Sequence, residues 1–164
     1  IWYWLRPGDA SSQPEKFLAG PAMETQPQLS ADGRWLAYVT NEGGAIHVAV
    51  RQFPSGQGFV RVAVGQQPRW KKDGSELYFL TGSASDLRLM AVPMKADGSN
   101  GISAGTPGKL FEFESLVTIQ QANVWLYAPS PDGQRFLVKV RAEAGAPTIH
   151  LITNWLKAAR GVVK

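Results

Sequence analysis

Two histidines, His47 and His150, and three aspartates, Asp32, Asp73 and Asp132, are the residues of this 164-residue chain best suited by type and spacing to chemistry. Imidazoles bind zinc and move protons near neutral pH. Paired carboxylates hydrolyse glycosides when held about 5–10 Å apart. Neither chemistry is expected here. His47 and His150 each follow an isoleucine that opens a β-prone run, and Arg88 fills that place in the run between them. Equivalent positions of a repeat belong to different structural units, so the two imidazoles should not converge. Cysteine is absent, which removes thiolate metal sites, disulfides and thiol nucleophiles together. Each aspartate directly precedes a glycine, the signature of a turn whose carboxylate bonds nearby backbone N–H groups. The loop serine in Pro54-Ser55-Gly56 lacks the G-x-S-x-G elbow of a serine hydrolase. No catalytic centre, metal site or cofactor site is expected.

The elements that position these residues follow from a repeat. Pro27–Val39, Pro68–Leu80 and Tyr127–Lys139 are near-copies of one segment, and the first two begin about forty residues apart, the period of a stacked or circular array. The pairs Asp32-Gly33, Asp73-Gly74 and Asp132-Gly133 are structural turns between two strands, because Gly accepts φ > 0 without steric cost. Strands follow at Trp35–Val39, Leu77–Leu80 and Phe136–Val138, then at Ile46–Val50, Leu87–Val92 and Ile149–Ile152. Phe59–Val64 and Lys109–Phe113 close two of the units, and Ala96–Gly101 reads as a linker. The first two post-turn strands are apolar on both faces, as in a sheet sandwiched between neighbours. The third alternates, with Arg135, Lys139 and Arg141 opposite Phe136, Val138 and Val140. Residues 1–20 read as the last two strands of a preceding unit. Residues 27–66 and 68–113 form two units, 114–155 an insertion plus a three-stranded unit, and 156–164 a tail. Trp155–Arg160 alone has a helical turn's pattern.

Bulk properties narrow the function classes. The chain is 44% hydrophobic and 18% charged, with 17 glycines and 11 prolines, as in a turn-rich β protein. Its net charge of +4 is spread along the chain, whereas nucleic-acid readers concentrate basic residues on one face. No apolar run approaches the roughly 20 residues of a membrane span. Of the six tryptophans, Trp35 and Trp70 lie inside the repeats and are expected to fill space between units; Trp2, Trp4 and Trp125 are less constrained.

Four-stranded antiparallel sheets at this period are the blades of a β-propeller. The turns Ser30-Ala31-Asp32-Gly33 and Ser130-Pro131-Asp132-Gly133, with their apolar second strands, resemble the TolB-like, PD40-repeat propellers, which are WD40-like. Lys71-Lys72-Asp73-Gly74 departs from that pattern at both Ser and Pro. The order of segments, ending in Leu151-Ile152-Thr153-Asn154-Trp155, is similar to the C-terminal propellers of bacterial transmembrane serine/threonine kinases. That resemblance implies an extracytoplasmic ligand- or protein-binding module.

The fold class expected is therefore all-β: a partial propeller of about three blades, half of a six-bladed ring. Closed propellers have about four to eight blades. Exposing several hundred Å2 of blade face costs on the order of 10 kcal/mol, so a homodimer, or the remaining blades of a parent propeller, should complete the ring. Ligands meet a propeller at its channel mouth, where first strands converge. Strand position selects Gln28, Arg69, Lys71 and Tyr127 for polar or cationic contact with a protein, a peptide or a small anion. An accessory propeller of a larger enzyme, a serine peptidase or a receptor-like kinase, is the alternative.

Overall fold

The computed structural model describes residues 1–4, 13–98, 101–115, 117, 119 and 124–141, and the strand backbone at 150–153. The terminal turn and tail expected over 154–164 lie outside the described residues, as does the side chain of His150. Every described regular element is a β-strand. A two-stranded ribbon pairs β1 (Trp2–Tyr3) with β2 (Glu15–Lys16). The first full sheet has the order β3 (Glu24–Leu29), β4 (Trp35–Thr40), β5 (His47–Gln52), β6 (Val60–Val64). The second joins β7 (Gln66–Trp70), β8 (Glu76–Ser83), β9 (Asp86–Asp97), β10 (Gly101–Ala104) and β11 (Gly108–Phe113). The third is β12 (Tyr127–Pro129), β13 (Arg135–Val138), β14 (His150–Thr153). All pairings are antiparallel.

Successive side chains of a strand point to opposite faces, so Trp35–Val39 of β4 and Leu77–Leu80 of β8, apolar at every position, serve two packed faces. From β4, Trp35, Ala37 and Val39 pack with Val48 and Val50 against Leu77, Phe79, Val92 and Met94 of the second sheet. The opposite residues, Leu36 and Tyr38, meet Phe17, Leu18 and Phe53 beside the ribbon. From β8, Tyr78 and Leu80 turn the other way, onto Phe136 and Val138 of the third sheet. Tyr78 and Phe136 meet edge to face with centroids 5.1 Å apart. Each such buried side chain contributes about 1.5–3 kcal/mol. The sheets are stacked face to face, with first strands β3 and β7 neighbours. This is an open, partial β-propeller.

Two local features differ from the sequence reading. The ends of the expected linker over 96–101 are strand: β9 runs on to Asp97, and Gly101 pairs back to it. Asp97-Gly98 is a fourth Asp-Gly turn, with Gly98 at φ 63°. The strand after the first hairpin opens at His47 and continues to Gln52, leaving Ile46 exposed.

The three repeat turns are built alike. Gly33, Gly74 and Gly133 have φ of 72°, 73° and 69°, and each donates its N–H to the carbonyl three residues back, 2.9 Å away. In the first turn the Ser30 hydroxyl donates to Asp32 Oδ1 (2.6 Å) and accepts the Trp35 N–H (2.9 Å). The third turn repeats this with Ser130, Asp132 and Arg135. In the second turn Lys71 occupies the serine position, and Ser75, two residues after Asp73, donates its hydroxyl and its N–H to Asp73 Oδ1 instead (2.6 and 3.0 Å). These serine hydroxyls, ahead of the backbone N–H groups, hold all three carboxyls below the ordinary aspartate range.

Two predictions follow from the turns. A lowered folded-state pKa stabilises the fold above the unfolded value, and that contribution is lost as pH falls through the folded one. Asp32→Asn should therefore be less stable than the parent at pH 6, and the gap in urea midpoint should close as pH drops below about 3.9. A gap constant with pH would remove the charge from the explanation. Gly133 and Gly33 share the same φ, but a Cβ at 133 would overlap the Tyr78 hydroxyl of the neighbouring sheet, while one at 33 meets nothing. Gly33→Ala should cost about 1–2 kcal/mol from φ alone. Gly133→Ala should cost a further 1–3 kcal/mol or so from overpacking, most of it recovered in a Tyr78→Phe background.

Candidate functional site

The first strands β3 and β7 carry the same irregularity. Gln26 and Gln67 each precede a proline, sit at a register shift in the pairing, and adopt left-handed φ of 53° and 57°. They are the only described non-glycine residues with positive φ. Such a conformation costs about 1–3 kcal/mol, and persists only where surroundings over-determine it. Here they do. Gln26 Oε1 accepts the Gln67 N–H at 2.6 Å, across the gap between the first two sheets. Gln67 repeats the contact one sheet on: its Oε1 accepts the Leu126 N–H at 2.9 Å, and its Nε2 donates to the Val124 carbonyl at 2.9 Å. The Gln67 carbonyl accepts the Tyr127 hydroxyl at 2.8 Å. In the third unit the equivalent residue is Leu126, so this run of amide contacts ends there.

One residue pair further along, the same strands build a polar cluster. Gln28 Oε1 accepts from Arg69 Nη1 at 3.0 Å, and the Gln28 carbonyl accepts from Trp70 Nε1 at 3.0 Å. The Arg69 guanidinium lies 3.7 Å from the ring centroid of Trp125, a close cation–π contact. Its Nε is buried and has no hydrogen-bond partner among the described residues. Desolvation lowers the Arg69 pKa, yet a guanidinium stays charged at any physiological pH. Burial raises the Tyr127 hydroxyl well above its usual value, so it remains a neutral donor to Gln67.

Two cavities meet at Arg69. One, of about 440 Å3, sets Arg69 and Lys139 among Trp125, Leu126, Val138 and Val140, and no carboxylate is among its described lining residues. The other, of about 330 Å3, lies between Gln28, Arg69, Lys71, Lys72 and Trp70. The structure thus brings Gln28, Arg69 and Lys71 to one wall. Tyr127 floors the adjoining cavity, with its hydroxyl committed to Gln67. Lys71 Nζ stands 3.3 Å from Asp73 and 3.8 Å from Glu76, so its charge is shared with the turn. Sequence reasoning missed Gln26 and Gln67, although both are Gln-Pro placed alike before Asp-Gly. It missed Lys72 and Lys139 as well, and left Trp125 unassigned.

His47 stays apart from this cluster. His47 is fully buried on β5, its Nδ1 paired with the Ala45 carbonyl at 2.8 Å. Among the described residues no group of three His, Cys, Asp or Glu could hold a metal ion. Nor is any described helix long and apolar enough to cross a membrane.

The class these features define is an open propeller with a cationic and aromatic cleft beside its first strands. No family model and no curated protein matches the chain. Among solved structures it is similar to TolB from Acinetobacter baumannii, at 12% identity and a TM-score of 0.44, over 93% of this chain and 46% of that one. The chain therefore spans about half the length of that protein.

Replacing Gln67 tests the latch. Gln67→Ala strands the buried Leu126 N–H and should cost about 2–4 kcal/mol in urea unfolding. Gln28→Ala, at a half-exposed position, should cost about 0.5–1.5 kcal/mol. Equal effects would refute the role assigned to Gln67.

Proposed function

We propose that the chain is a non-catalytic binding module that takes a protein, peptide or small anionic ligand at the cleft built on Gln28, Arg69, Lys71 and Tyr127. The observation that carries this reading is the convergence of β3, β7 and Trp125 on one partly buried, incompletely bonded guanidinium. An anion supplies acceptors that the protein withholds from Arg69, and charge-assisted bonds of this kind are about twice as strong as neutral ones.

The same reading includes assembly with a second copy. Among the described residues, three sheets and a ribbon fall short of the four to eight or so blades of a closed ring. On the ribbon side of the stack apolar side chains face outward: Trp2 is 58% and Trp4 54% exposed. A second copy joined through this side would cover them and leave the cleft beside Arg69 open.

Light scattering at micromolar concentration should return twice the chain mass. Trp2→Lys, at an exposed position on the ribbon, should return a folded monomer. A stable, soluble wild-type monomer refutes the pairing, and a dimer unaffected by Trp2→Lys moves the interface elsewhere.

A further inference from the structure

The cavity beside Trp125 has a composition that narrows the ligand class. Its wall carries two cations, Arg69 and Lys139, and is otherwise mainly aromatic and aliphatic, with Trp125, Leu126, Val138 and Val140 among its lining. Lys139 is exposed and makes no ion pair among the described contacts. A wholly apolar ligand would leave two charges desolvated without compensation, and a bare inorganic anion would leave the apolar wall unfilled. The complement is a negative charge attached directly to an apolar body. At about 440 Å3 the cavity has the size of a small-ligand pocket, room for one or two side chains.

The second cavity extends the argument from a small acid to a chain end. It shares Arg69 with the first and continues past Gln28 and Trp70 to Lys72, an exposed lysine. A ligand filling both must be elongated, apolar and singly charged at one end, and acidic or polar toward the other. Building on the binding reading above, we infer that the cleft captures the C-terminus of an acidic peptide. Its last, large apolar side chain lies against Trp125 and Leu126, its terminal carboxylate bonds Arg69 and Lys139, and its upstream acidic residues face Lys72. Arg69 is the pivot, because it lines both cavities and is held there by Gln28 at one Nη and by Trp125 at one face. Capture of a C-terminal carboxylate is a recurring mode of peptide recognition.

The place of the cleft in the fold supports the assignment. It opens where the amide latch ends, at Leu126, which borders the cavity, takes the Gln67 contact through its N–H and has no side-chain amide to pass it on.

The probe is an N-acetylated, fluorescently labelled hexapeptide with two glutamates followed by Gly-Ser-Leu-Phe, prepared as free acid and as C-terminal amide. Binding to the full chain is read by fluorescence anisotropy at low and physiological salt. The free acid should bind at least about tenfold more tightly than the amide, and lose affinity as salt rises. Arg69→Gln and Lys139→Gln should each weaken the free acid by about tenfold and leave the amide unchanged, whereas Lys95→Gln should alter neither. Lys139 is exposed, so that variant keeps the test valid if Arg69→Gln unfolds. Equal binding of acid and amide, still lost on Lys139→Gln, overturns the terminal-carboxylate inference and leaves the cleft as a peptide site. Failure of both forms to bind up to about 1 mM overturns the inference and the binding reading of this cleft together.

Discussion

Gln67 joins three sheets at one point, and the arrangement of the channel side depends on it. Its N–H is held by Gln26 of the first sheet, and its side chain bonds the backbone at both Val124 and Leu126, beside the third. Its carbonyl takes the Tyr127 hydroxyl. Face-to-face apolar packing is non-directional and would tolerate sliding of one sheet over the next. Buried amide contacts do not, because a shift of one residue strands several donors and acceptors away from water. The left-handed φ at Gln67 is strain held in place by these bonds.

Held in that way, the first strands place Arg69 between Gln28 and Trp125, and so convert a packing device into a cleft. The same register sets Tyr78 against Phe136 and brings the Gly133 turn onto the Tyr78 hydroxyl. Interior packing and the cleft beside the first strands are thus two consequences of one stacking geometry. The turns contribute independently: Ser30, Ser75 and Ser130 hold aspartates ionised close to their own backbone, a local arrangement that asks nothing of neighbouring sheets.

Much of the architecture was legible along the chain. Asp32-Gly33, Asp73-Gly74 and Asp132-Gly133 mark the turns because only glycine accepts the required φ cheaply. The runs Trp35–Val39 and Leu77–Leu80, apolar on both faces, announce sheets covered twice, and the alternation over Arg135–Val138 announces one covered once. The reach of β9 and its pairing with β10 are not legible along the chain, because Ala96–Gly101 has the composition of a linker. The wall formed by Gln28, Arg69 and Lys71 followed from strand position. Trp125, Lys72 and Lys139 did not, since nothing local ties them to Arg69.

The amino-acid order by itself determined turns, strands and which faces are apolar, because these rest on φ preferences and a two-residue period that act within a few residues. Only the tertiary structure decided that Gln26 reaches Gln67, that Gln67 reaches Leu126, and that Arg69 lies on Trp125. Those pairs are separated by tens of residues, and their geometry exists only once the sheets have stacked in register.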